Sequence, residues 1–75
     1  MPRLPRITGK EALTALISTG FTLVKVRGSH HYLLNPTKAG LVTIPVHSGE
    51  IVPPKTLRSI LQQAGLTVDE FIELL

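Results

Sequence analysis

Three short stretches rich in β-branched and apolar residues, 21–27, 30–34 and 41–46, follow one another closely, and only Gly28-Ser29 separates the first two. A two-residue link joins strands as a tight hairpin, because a parallel crossover needs a dozen residues or more. The second link, residues 35–40, contains Asn35-Pro36 and Gly40, which are turn residues. The middle of the chain is therefore expected to form a three-stranded antiparallel sheet. Pro45 has no N–H to give to a ladder, so the third strand should lie at an edge or end there.

Helical patterns flank this sheet. Thr8-Gly-Lys-Glu11 has the S/T-x-x-E form of a capping box, in which side chains satisfy backbone groups at a helix start. Ala12, Leu13, Leu16 and Ile17 follow at one-face spacing until Gly20, giving a helix of about ten residues. After a loop over residues 48–54, closed by Pro53-Pro54, a stripe of Leu57, Ile60, Leu61 and Ala64 runs to Gly65. Thr67-Val-Asp-Glu70 repeats the capping box and begins a last short helix, with Val68, Phe71, Ile72 and Leu75 expected to face inward. The order α-β-β-β-α-α is that of an α+β fold. With no repeat and no linker, residues 1–75 are read as a single domain, with residues 1–7 as a basic arm. A core this small supplies about 3–5 kcal/mol of stability.

Cysteine is absent, which excludes disulfides and thiolate metal sites. No stretch has the length and apolarity of a membrane span, and the arm is not followed by the apolar run of a secretory signal, so a soluble, cytoplasmic protein is expected. Charge is unevenly distributed. All eight Lys and Arg precede Thr67 against only Glu11 and Glu50, a balance of +6, whereas Asp69, Glu70 and Glu73 give the remainder −3. Such a basic body favours a polyanion partner through phosphate neutralisation, the alternative being an ordinary solvated surface.

Chemistry centres on Gly28-Ser-His-His31 and on His47. An imidazole at a hairpin turn is exposed, titrates near neutral pH as a residue type, and lies where Gly lets a phosphate approach. Side chains alternate across a strand, so His30 and His31 should point to opposite faces, with His31 half-buried and bonded to backbone. No metal site is expected, for the three histidines lack the His-x-x-x-His or His-Glu-x-x-His spacing. Ser29 lies in no strand-turn-helix elbow, which removes a serine triad. Lys25, Arg27, Lys38, Lys55 and Arg58 are candidate phosphate contacts, although charges on an edge strand also prevent edge-to-edge pairing. Phe21, Tyr32 and Phe71 are the only aromatics, so contact with nucleic acid is expected through backbone and shape more than through stacking.

Taken in order, Gly20-Phe21, Gly28-Ser-His-His31, Pro45-Val-His-Ser-Gly-Glu50 and Thr56-Leu-Arg-Ser-Ile-Leu-Gln-Gln-Ala-Gly-Leu-Thr67 resemble the HicA-family toxins over nearly the whole chain. The resemblance implies a compact α-β-β-β-α sandwich similar to a double-stranded-RNA-binding domain, its helices on one face of the sheet. It also implies a toxin of a type II toxin–antitoxin system, an mRNA-cleaving endoribonuclease that needs no metal or other cofactor and is neutralised by a HicB-like antitoxin. The family's catalytic histidine matches His30, with Gly28 and Ser29 shaping its turn; Lys25, Arg27, Lys55 and Arg58, read from the residues alone, remain the candidate substrate contacts. A second acid–base role falls to His47, Lys25 or Arg27. Val52-Pro-Pro54 departs from the family's Lys/Gly-rich approach to the helix. Two readings without catalysis stay open: an RNA-binding module of the same fold, and a protein-interaction domain.

Overall fold

A computed structural model describes residues 3–37 and 39–75. Its elements are α1 (Gly9–Ser18), β1 (Thr22–Arg27), β2 (His30–Leu34), β3 (Leu41–Pro45), α2 (Pro54–Ala64) and α3 (Val68–Ile72). Both capping boxes form. Thr8 N donates to Glu11 Oε1 at 2.9 Å while Glu11 N donates to Thr8 Oγ1 at 3.2 Å, and Thr67 and Glu70 repeat the exchange at 2.8 and 3.1 Å. Pro54 opens α2 at a position where a missing N–H costs nothing, and Gly65 ends it in the left-handed conformation.

The strands form one open antiparallel sheet in the order β1-β2-β3. Gly28 takes φ +59 and no residue other than glycine has positive φ among those described, the sign pattern of a type II′ hairpin with Gly first. The β1–β2 register steps between Leu23↔Leu33 and Lys25↔Tyr32, which makes Val24 the bulged residue. Pro45 is the last residue of β3, and β3 is an edge strand, so both expectations for it hold together. That edge is not left bare: Gln63 of α2 accepts a hydrogen bond from Thr43 N at 2.9 Å.

Alternation divides the sheet into two faces. Leu33, Val42 and Ile44 point to the side where the long helices lie, and are fully buried there with Leu16, Leu57, Ile60 and Phe71. Each such side chain contributes about 1.5–3 kcal/mol relative to exposure. Asn35 is the one buried polar residue among those described; its Nδ2 donates to Ala64 O at 3.0 Å and its Oδ1 accepts from Thr37 N, pinning the second turn to the end of α2. Gly9 touches β3 so closely that a Cβ would overlap the Pro45 carbonyl oxygen.

Some positions differ from expectation. Ile17, Ile72 and Leu75 were expected to face inward and are 44, 40 and 53% exposed. Helix α3 has only five residues, so one side chain, Phe71, reaches the core and Val68 is half-buried. All of β1 is exposed, because α1 and α2 pack over β3 and leave the far strand uncovered. The basic arm is partly anchored: Ile7 is buried, Val52 N donates to its carbonyl at 2.8 Å, and Thr8 bridges Ile51. Met1 and Pro2 of that arm lie outside the described residues.

Candidate functional site

Among the described residues, none forms a layer over the face of the sheet turned away from the helices. Register decides what stands there. His30 opens β2 with Arg27 of β1 opposite it on one side and Pro45 of β3 on the other, and Tyr32, two residues along, lies between Lys25 and Thr43. Directly opposed residues in an antiparallel pair share a face, as do residues two apart on one strand. Lys25, Arg27, His30 and Tyr32 therefore form one cluster. The His30 and Tyr32 rings meet edge to face with centroids 6.5 Å apart, and Lys25 Nζ lies 5.9 Å over the Tyr32 centroid. Exposed contacts of that second kind are worth about 0.5–1 kcal/mol.

His31 is on the opposite face, half-buried, with Nδ1 donating to the Ser29 carbonyl at 3.2 Å. A carbonyl only accepts, so this bond puts the proton of a neutral ring on Nδ1 and leaves Nε2 as the lone-pair nitrogen. The same carbonyl accepts from Val46 N at 2.7 Å, which fixes the Gly28-Ser29 turn against the end of β3. Around Gly28 a Cβ would meet nothing within 4 Å, so the turn is open to a ligand's approach.

His47 is not part of this cluster. It is exposed beyond the end of β3, on a cleft of about 510 Å³ lined also by Pro45, Glu50, Val52 and Thr56. Pro45 links the two places, since it is both the cross-strand partner of His30 and a wall of the cleft. Lys55 and Arg58 are exposed on α2, in the layer behind the sheet, and the N-cap residue of α2, Pro53, offers no side-chain cap. The five cations proposed from sequence thus divide: Lys25 and Arg27 stand beside His30, Lys55 and Arg58 do not, and Lys38 lies outside the described residues.

The arm adds Arg3 and Arg6, which sequence reasoning passed over as candidate contacts. They line a second cleft of about 490 Å³ whose other wall, Ile51 to Pro53, is shared with the His47 cleft. Tyr32 was also passed over as a site residue, although its spacing of two from His30 on a strand was the available signal. Among the described residues no three of His, Cys, Asp and Glu are grouped as metal ligands, and no helix is long and apolar enough to cross a membrane.

No curated protein matches the chain. The family described as the HicA toxin of bacterial toxin–antitoxin systems matches residues 9–66, from the first residue of α1 past the end of α2. That span takes in the whole sheet, the Gly28-Ser29 turn and all three histidines, and the chain belongs to the HicA toxin family.

Proposed function

We propose that this toxin is a metal-independent endoribonuclease that cleaves mRNA in the cytoplasm, with His30 as its general acid–base residue and a HicB-like antitoxin as its inhibitor. The observation that carries the reading is an exposed imidazole on an uncovered sheet face, flanked by Arg27 and Lys25. In the reaction the imidazole takes the proton of a ribose 2′-hydroxyl, the 2′-oxygen attacks phosphorus, and the bond to the 5′-oxygen breaks. The 5′-oxygen leaves with a proton from a second group, His47 or Lys25, and the products are a 2′,3′-cyclic phosphate and a 5′-hydroxyl. Arg27 and Lys25 supply positive charge where the phosphorane develops negative charge. Gly28 and Ser29 let the backbone approach the phosphate, while Lys55 and Arg58 act on more distant phosphates of the strand.

A second reading moves the acid–base role to His31. It is favoured by the Nδ1–H bond to Ser29, which holds that ring in the tautomer a general base needs. One experiment separates the two: RNA cleavage by the purified protein in the presence of a chelator, repeated with His30→Ala, His31→Ala and His47→Ala. Loss of a placed acid–base group costs about 10²–10⁴-fold in rate. His30→Ala is expected to lose that much with an unchanged melting temperature, and the other two to lose less. Full cleavage by a folded His30→Ala protein, with loss in His31→Ala, transfers the role to His31. Absence of cleavage by the unmodified protein leaves the RNA-binding module of the same fold.

A further inference from the structure

The open face carries a single aromatic ring, and the other two aromatics, Phe21 and Phe71, are buried in the core. Tyr32 sits in the middle of the central strand with Lys25 over its ring and the His30 ring steeply inclined to it, their centroids 6.5 Å apart. A phosphate is a stronger partner for an ammonium than an aromatic ring is, because a charge-assisted hydrogen bond outweighs an exposed cation–π contact. An arriving phosphodiester therefore draws Lys25 away and leaves the ring free. Residues two apart on a strand are separated by about 6–7 Å, so a base lying on Tyr32 brings its own sugar and phosphate towards His30.

We propose that Tyr32 is the stacking platform of this face, holding an unpaired nucleobase beside the phosphodiester presented to His30, and that the substrate is accordingly single-stranded RNA. The identity of the strand as substrate rests on the ribonuclease reading; the stacking does not. A base inside a duplex has neighbours on both of its faces, and only an unpaired one can lie flat on a side chain. With one ring and no second aromatic on the described face, the platform takes any base, since stacking tolerates sequence. Lys25 then has two positions, over the ring in the free protein and on a phosphate in the complex.

The chain has one tyrosine and no tryptophan, so its intrinsic fluorescence comes from Tyr32 alone. The test titrates the protein with single-stranded 2′-O-methyl RNA, which lacks the attacking hydroxyl and is not cut, and compares it with an abasic strand of the same length. Emission is expected to fall with binding of the first and to stay level at saturation with the second. By anisotropy of a labelled strand, Tyr32→Leu should bind about tenfold more weakly and Tyr32→Phe within about twofold of the parent, the scale of one base–aromatic stack. Unchanged emission at saturation, or equal affinity of the Leu and Phe variants, overturns the proposal. His30→Ala should show the same quenching, so a failure of catalysis and a failure of stacking are read separately.

Discussion

At the scale of single residues, the hairpin turn decides where the imidazole stands. Gly28 is left-handed with open space around it, so an added Cβ meets no atom and suffers only from the backbone. Gly28→Ala should therefore lose about 1–2 kcal/mol, the cost of a left-handed residue with a side chain, and Gly28→Asn less; urea denaturation measures both. An equal loss for the two variants would mean that the turn changes type. The split between His30 and His31 was legible from alternation, and the half-buried ring has the backbone bond expected of such a histidine. Tyr32 beside His30 was visible in their spacing of two, but its pairing with Lys25 was not, because the register between the two strands contains a bulge that no local pattern announces.

At the scale of elements, the fit of α1 against β3 holds the sheet in place beneath the helices. Gly9 is the first residue of α1, where alanine would ordinarily favour a helix over glycine by about 1 kcal/mol. Here the added Cβ would overlap the Pro45 carbonyl oxygen and come within 3.0 Å of Val46 Cα, both backbone atoms. Overpacking of that kind costs about 1–3 kcal/mol, so Gly9→Ala should lower the melting temperature; a rise would mean that α1 can shift without loss. The helices and their limits were readable because capping boxes, prolines and glycine stops are local signals. The exposure of β1 was not. It depends on which strands the helices lie over, a matter of packing between distant segments, and the same reason left Ile17 and Ile72 on the wrong side of their helices.

For the whole molecule, charge and area set how partners meet it. The excess of cations before Thr67 predicts that RNA affinity falls steeply with salt, with a slope of about −0.7 for each phosphate neutralised on a single strand. A flat response in filter binding from low to high salt would argue for a protein ligand. The accessible surface is 4966 Å², and a stable protein interface takes about 800 Å² from each partner, roughly a sixth of this surface. An antitoxin seated on the open face, with acidic groups for Lys25 and Arg27 and apolar ones for the exposed pair Leu34 and Leu41, has area enough to hide His30 as well. Titrating it should raise the melting temperature and protect residues 28–31 from hydrogen exchange; inhibition without that protection would place the inhibitor elsewhere. The two rims of the sheet remain unequal whatever partner is bound. Gln63 occupies the donor in the middle of β3, while among the described residues no such side-chain bond reaches the outer rim of β1. A filament grown by strand addition needs two receptive rims on every unit. With the Thr43 donor taken by Gln63 and Pro45 lacking one, the β3 rim is the poorer of the two for such growth, which disfavours propagation along the sheet.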